Sequence, residues 1–542
     1  MARAGILPLT VALSIAAATP VSAQDGHCDA PGQTVDPAIL ERPTGRRDGI
    51  GRSAQKVTTS SPEAQAFSDQ GLAFLHSYVW IEAARSFRQA LRADPDCAMA
   101  WVGLARAEQG MERRNEARAA IARAQALAGR VSERERRYIA LRAMQMDAVE
   151  PASAEEQARR HADYKREIEL ALAADPEDPE LWILRGNAEE PGAWGRGQRG
   201  GVGSIAYYLT ALRFAPGHFA AAHYLIHSYE NVGRHADAAA YGRLYAEAAP
   251  GVAHAQHMYA HVLPRLGRWE EARTQLEKAD GIEERYARAE SLRPGDDWHH
   301  VHNLQLLAFT YLRLGRLEDT EKTLRRAYDT PIRMTSLSWQ HASYPEFLLL
   351  RGRAEEALAA ARKLSSGSPP ARAAASAVEA EALLALDRRA EAAEAARRAS
   401  ETFDRALPAL AGAERLYVER NVGPFVRLAK AQVALAGPEA ETAEKTIVEF
   451  ADALAADPRF DAWGEGLFKL ERLSAAARRL GRPALAAAVE ARMRRIDADY
   501  VPGSRSAPLA AAGGARSYTR MKKRGSPTGA SGGPGPNDAA RR

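Results

Sequence analysis

Residues 62–95 read PEAQAFSDQGLAFLHSYVWIEAARSFRQALRADP. Ser61 and Pro62 open the stretch as a helix cap and a first-turn proline. Phe67, Gly71 and Phe74, then Ala83, Phe87 and Ala90, fall at helical spacing, and Pro95 closes the unit. The physical demand behind such a string is two short helices crossing closely. Small residues stand at the crossing, aromatics fill the gap to the next pair, and proline stops the second helix.

The same string resembles the tetratricopeptide repeat, whose period is about 34 residues. Only Gln70, at a leucine place, departs from the pattern of that family. The next unit supplies Trp101, Leu104, Ala105, Ala117 and Ala124, with Glu108 at an aromatic place. Further units carry Leu225, Tyr229, Gly233, Ala238, Tyr245 and Pro250, then Tyr259, Ala260, Gly267, Trp269, Ala272 and Ala279, then Leu307, Ala308, Tyr311, Gly315, Leu324 and Ala327. Weaker units run to about Pro458, and a last helical pair, Gly464–Leu480 and Pro483–Tyr500, is expected to cap the array. The resemblance implies an all-α fold, a right-handed α-solenoid of helical hairpins over residues 61–500. Ser132–Met146 is expected as an inserted charged helix, Pro191–Gly203 as a glycine-rich lid or long turn containing Trp194, and Gly281–Gly295 as an insertion.

Histidine is the unusual residue. Of 14 in the chain, ten lie between His218 and His302, where uniform scatter would put about two. His223 and His227 are four apart, and His254, His257 and His261 are spaced by three and four, so each set forms one stripe on a helix. His223 and His257 share a repeat position, as do His227 and His261. In the repeat family, the first helix of each pair lines the concave face. Carried over, that places His223, His227, His254, His257, His261 and His302 in the groove, with Glu230 beside them; Gln305 and Phe309 break the ladder in the third unit. The His-Tyr-Leu-Ile-His and His-Met-Tyr-Ala-His strings, with Cys97 in Asp-Pro-Asp-Cys-Ala-Met-Ala, also resemble a group of exported bacterial repeat proteins. That likeness implies a scaffold and no reaction.

Three uses of the ladder compete. Imidazoles can serve as packing residues of intermediate polarity. They can line a groove for a peptide or protein, the usual use of this fold and the leading expectation. Alternatively His223, His227, His257 and His261 chelate a transition metal, zinc, copper or nickel, since four imidazole nitrogens suit these ions better than calcium or magnesium. Catalysis has the least support. No His-Glu-x-x-His, Gly-x-Ser-x-Gly, P-loop or dinucleotide turn is present, and a metallohydrolase using His223, His227, His257 and Glu230 rests on spacing alone. His76 and His161 stand apart and are expected to be ordinary surface or core residues. His299 and His300, after Asp296-Asp297, are expected at a helix start, where the acids cap the helix.

Composition bounds the rest. With 46% hydrophobic, 26% charged and 7% aromatic residues the chain is expected to be helical and soluble, and a net charge of +5 over 542 residues without a basic stripe argues against nucleic-acid binding. Residues 1–23 have the form of a signal peptide, with Arg3, an apolar run from Ile6 to Ala18 and Val21-Ser22-Ala23. Export to the periplasm or beyond follows, with no membrane-spanning segment after cleavage. Residues 24–60 are expected as an extended leader with little structure of its own, and residues 501–542 as a disordered basic tail. Cys28 and Cys97, the only cysteines, form a bridge or remain two thiols.

Overall fold

The computed structural model describes residues 35–500 apart from 151, 194, 333–334, 411 and 458–461. The signal-peptide segment, Cys28 and with it any bridge to Cys97, Trp194 and the basic tail lie outside the described residues. Among those residues the chain is all-α, with 23 α-helices and no strand. A short α1 (Pro37–Glu41) precedes hairpins α2 (Pro62–His76) with α3 (Trp80–Ala93) and α4 (Ala98–Gly110) with α5 (Arg114–Leu127). Next come α6 (Glu133–Ala148) and α7 (Ala154–Ala174), then the hairpin of α8 (Pro179–Asn187) and α9 (Val202–Phe214). The histidine-bearing hairpins are α10 (Phe219–Asn231) with α11 (His235–Ala248), α12 (Ala253–Val262) with α13 (Trp269–Ala289), and α14 (Trp298–Arg313) with α15 (Leu317–Asp329). The array continues through α16 (Ser343–Leu350), α17 (Ala354–Lys363), α18 (Pro369–Ala385), α19 (Arg389–Ala406), α20 (Gly412–Ala434) and α21 (Ala440–Ala456), and ends with α22 (Leu467–Arg479) and α23 (Pro483–Ile496).

Local chemistry explains the hairpins. Ser61 caps α2 by accepting from the Ala64 amide at 3.2 Å, with Pro62 in the first turn. Gly71 is needed because a Cβ there would lie 2.7 Å from Phe87, the aromatic that fills the hairpin. Ser132 and Glu135 form a capping box that starts α6, the inserted charged helix. Turns between paired helices pass through the left-handed region, and most units place glycine there: Gly233, Gly267, Gly315, Gly352 and Gly481 have φ between 68° and 76°. In the first hairpin the same turn is made by Tyr78 at φ 57°.

One feature refines the sequence expectation and another departs from it. The insertion at residues 281–295 is taken up largely as helix: α13 runs on to Ala289 before the chain turns into α14 at Trp298, so α12 and α14 begin farther apart in sequence than α10 and α12. The leader is no free arm. Apart from α1 it is extended, but Val35, Ile39, Leu40, Ile50 and Val57 are buried. Its backbone ties distant hairpins together. Gly49 accepts from the Gly251 amide at 2.8 Å, Gly45 accepts from Gln70 at 3.0 Å, and the Thr58 amide donates to Glu135 at 2.7 Å. Sequence composition missed this because the segment has no period of its own; its apolar residues bury against surfaces built elsewhere.

The carboxy-terminal helices also return to the centre. Trp463 meets Trp269 edge to face at 5.5 Å, Phe468 lies 5.4 Å from Phe309, and Arg313 donates to Asp497 at 3.0 Å. The histidine-bearing hairpins are therefore packed against both the leader and the last helices, and their inner face is enclosed. No described helix is long and apolar enough to cross a membrane.

Candidate metal centre

Alternating apolar and histidine positions on α10, α12 and α14 bring a continuous file of imidazoles into the interior. His223 is fully buried, His254 and His299 are 4% exposed and His257 1%. His223 and His227 rings are 5.1 Å apart on α10, and His254 of α12 meets His223 edge to face at 4.9 Å. The file continues from His254 to His299 at 4.8 Å, from His299 to His257 at 4.7 Å, from His257 to His302 at 4.9 Å and from His257 to His261 at 5.7 Å. Togetherness was legible in the sequence; display was not. In this conformation the face expected as a peptide groove is closed, because Tyr78 lies against His223 and His254 at 4.7 and 5.1 Å and leaves no room for a chain between them.

Hydrogen bonds fix the ring tautomers. His223 Nδ1 is 2.7 Å from the His76 carbonyl, which can only accept, so the proton is on Nδ1 and Nε2 carries the lone pair. His257 Nδ1 donates to Asn303 Oδ1 at 3.0 Å, the amide being oriented by its own donation to the Leu276 carbonyl. His261 Nδ1 donates to Glu230 at 2.8 Å, and His299 Nδ1 to Glu283. Four rings thus direct unprotonated Nε2 atoms away from their anchors. His223 Nε2 accepts from His254 Nε2 at 3.1 Å, while His227 Nε2, His254 Nδ1 and His299 Nε2 are buried without a hydrogen-bond partner. Such orphaned nitrogens are costly unless something occupies the space between them.

Donor atoms of His223, His227 and His254 all lie within 4.8 Å of one another, the one group of three or more potential ligands of this kind among the described residues. Two nitrogens at 2.0–2.1 Å from a tetrahedral ion are about 3.3 Å apart, close to the 3.1 Å separating His223 from His254. The sequence-derived set of His223, His227, His257 and His261 is not the set brought together. Successive repeats cross at an angle, so equal repeat positions do not face each other. The first turn of α12, carrying His254, meets His223, while His257 turns to His299 and His302, and His261 pairs with Glu230.

Burial governs the protonation of the file. It pushes the His223 and His302 imidazoles down to about 3 and holds His227, His254 and His257 well below the usual histidine value, with neighbouring imidazoles adding to the effect. These rings are neutral at pH 7, the form that ligates a metal.

Two participants escaped the sequence reading. His76 is not an isolated core residue. Its carbonyl orients His223, and its ring lies between Tyr224 Oη at 2.9 Å and Glu180 at 3.0 Å, with His218 on the same carboxylate at 3.0 Å. Burial lowers the His76 pKa against the opposing pull of Glu180. His299 does follow a cap, since Asp297 accepts from its amide at 3.1 Å, but its side chain belongs to the imidazole file. A contact across 147 residues has no local signal, and only the excess of histidine on three neighbouring units hinted that a fourth helix would join.

No family description matches the chain, and no curated protein matches it in sequence. Among solved structures it is similar to yeast Tom70 at 14% identity, covering 79% of this chain and 92% of that one with a TM-score of 0.38. It is similar to a tetratricopeptide repeat protein from Parabacteroides merdae at 13% identity, covering 52% and 99% with a TM-score of 0.34. It is also similar to human IFIT1, solved as a dimer with m7Gppp-AAAA, at 13% identity, covering 82% and 92% with a TM-score of 0.38.

Proposed function

We propose that this scaffold of tetratricopeptide-like hairpins is a transition-metal-binding protein, with His223, His227 and His254 as the ligands. The observation that carries the reading is the committed tautomer of His223: its Nδ1 proton is held by the His76 carbonyl, and its unprotonated Nε2 meets His254 Nε2 at 3.1 Å beside the partnerless Nε2 of His227. Ligating histidines are held in this way, with the second ring nitrogen donating to a carbonyl or carboxylate. An all-imidazole donor set selects zinc, copper or nickel over magnesium and calcium. Three ligands leave a fourth position for water or for a further histidine moving in from the file.

The enclosed face makes metal binding a better account of these residues than a polypeptide groove, because a peptide would have to displace the α2–α3 turn before touching His223. Cobalt substitution tests the proposal. Metal-free protein given cobalt(II) is expected to show the intense visible absorption of a four-coordinate ion, and the His223→Ala/His254→Ala variant the weak spectrum of hydrated cobalt. Identical weak spectra from both proteins would overturn it.

A further inference from the structure

A second unexplained cluster lies next to Tyr78 and Tyr224. A cavity of ≈ 50 Å³ is bounded by Arg106 of α4, Arg142 of α6 and Arg196 of the glycine-rich segment, with Gln109, Gln145, Asn187, Tyr78, Trp80 and Tyr224 completing its wall. No carboxylate lines it. Arg142 is 8% exposed, and its hydrogen-bond partners are neutral: Gln145 Oε1 at 2.7 Å, the Ala105 carbonyl at 3.2 Å and Gln109 Oε1. Its Nε is buried with no partner, and neither Arg142 nor Arg106 takes part in an ion pair among the described residues.

The nearby acids are spoken for. Glu180, which lines an adjoining cavity of ≈ 40 Å³ with Arg106 and Arg142, is held by His76, His218 and Ser53. Glu190 accepts from the amides of Arg196 and Arg199 at 3.2 and 3.0 Å, and its charge and that of Glu112 act on Arg196. Burial and the charges of Arg106 and Arg196 push the Arg142 guanidinium down to about 9, which leaves it cationic at pH 7. Two guanidinium groups thus border this cavity without an ion pair of their own, the Glu180 carboxylate of the adjoining cavity being hydrogen-bonded elsewhere. A desolvated cation lacking a partner is strongly unfavourable, and a planar guanidinium is built to meet an oxyanion through parallel hydrogen bonds.

The wall shows further construction. Gly195 packs so closely on the Asn187 carbonyl that a Cβ would collide with it, and this approach brings Arg196 to the cavity. Tyr78 donates its hydroxyl to the Arg196 carbonyl from a left-handed backbone that most other units fill with glycine, a strain of about 1–3 kcal/mol. At roughly 10–15 Å³ of such space per water molecule, the cavity admits about four atoms of oxygen size.

We infer that this cavity is an anion site for a dianionic oxyanion of phosphate size, inorganic phosphate or the phosphate group of a small ester, held by Arg106 and Arg142 and walled on one side by Gly195 and Arg196. The glycine-rich stretch acts here by delivering an arginine and a close-packed wall, with no Walker-type loop required.

Calorimetric titration of chelator-treated full-length protein separates this site from any anion on a bound metal. With inorganic phosphate at constant ionic strength in chloride, saturable binding is expected, together with a phosphate-dependent rise in Tm. Arg142→Met is expected to fold with an equal or higher Tm in chloride, since it removes an uncompensated charge, and to bind phosphate at least about tenfold more weakly. Arg106→Gln, at a half-buried position, is expected to lose binding in the same way and serves if the first variant fails to fold. A phosphate ester binding as tightly as phosphate would place the ester class in the site; acetate binding as tightly would overturn the dianion assignment. Equal phosphate affinity in wild type and variants, or no saturable response, would overturn the site.

Discussion

Two of the buried polar clusters among the described residues are built on opposite principles. Between α16, α18 and α22, Arg472 is clamped by both oxygens of Glu381 at 2.7 Å and by Glu346, and Lys469 meets Glu465. All five residues are 7% exposed or less. Each cation there has its carboxylate, and the cluster's evident work is to join the end of the array to its middle. In the imidazole file of α10, α12 and α14, by contrast, neutral nitrogens face one another and several have no hydrogen at hand to share. A charge-matched network explains itself as structure, even though Glu346 Oε2 and Arg472 Nε lack a hydrogen-bond partner. An incomplete one, anchored on its outer side by carbonyls and carboxylates, points to something that completes it.

Breaking the ionic cluster should produce the largest loss of stability. Arg472→Ala leaves Glu346 and Glu381 buried without their cation, and a decrease of about 3–5 kcal/mol is expected in denaturant unfolding, with metal content per folded chain unchanged. The contrast would fail if this variant lost metal while retaining its stability.

Acid should act on the other cluster. The unfolded chain takes up protons on histidine near pH 6.5, whereas the buried rings resist until far lower pH. Stability from these rings is complete above pH 6.5 and is lost as pH falls toward about 3. Each ring shifted to about 3 contributes a loss of about 2 kcal/mol by pH 5. Hydrogen exchange on metal-free protein at pH 5 and 7 should therefore show α10, α12 and α14 opening first. Equal loss of protection in α16, α18 and α22 would remove the distinction.

His254→Ala should sharpen it further. This variant is expected to lose at least about tenfold in zinc affinity while the apo protein unfolds within about 1–2 kcal/mol of wild type, because a partly unsatisfied ring is removed. The smallest effect belongs to a residue remote from both clusters: Ser61→Ala should cost about 1 kcal/mol through loss of the α2 cap, with metal binding unaffected.

The same contrast shows what the amino-acid order made legible. Hairpins were readable because Phe67, Gly71, Ala83, Phe87 and their counterparts state a local packing rule, and local rules survive in periodicity. The convergence of His223 with His227 was readable for the same reason, being one helical turn. Which ring would come third was not, because His254 in place of His257 depends on the angle between repeats. His76 and Tyr78 were hidden more deeply: they reach the file from the first hairpin across most of the array's inner face. Burial of the leader had no signal in its Gly- and Pro-rich composition, yet it helps decide that the histidine face is enclosed.

The most direct test is elemental analysis of full-length protein made without a histidine tag or chelator, paired with a zinc titration against a competing chelator. The account predicts one transition-metal ion per chain, lost on dialysis of the His223→Ala/His227→Ala/His254→Ala variant but retained by Arg472→Ala that has folded. Metal-free protein that takes up no more zinc than the triple variant would contradict it.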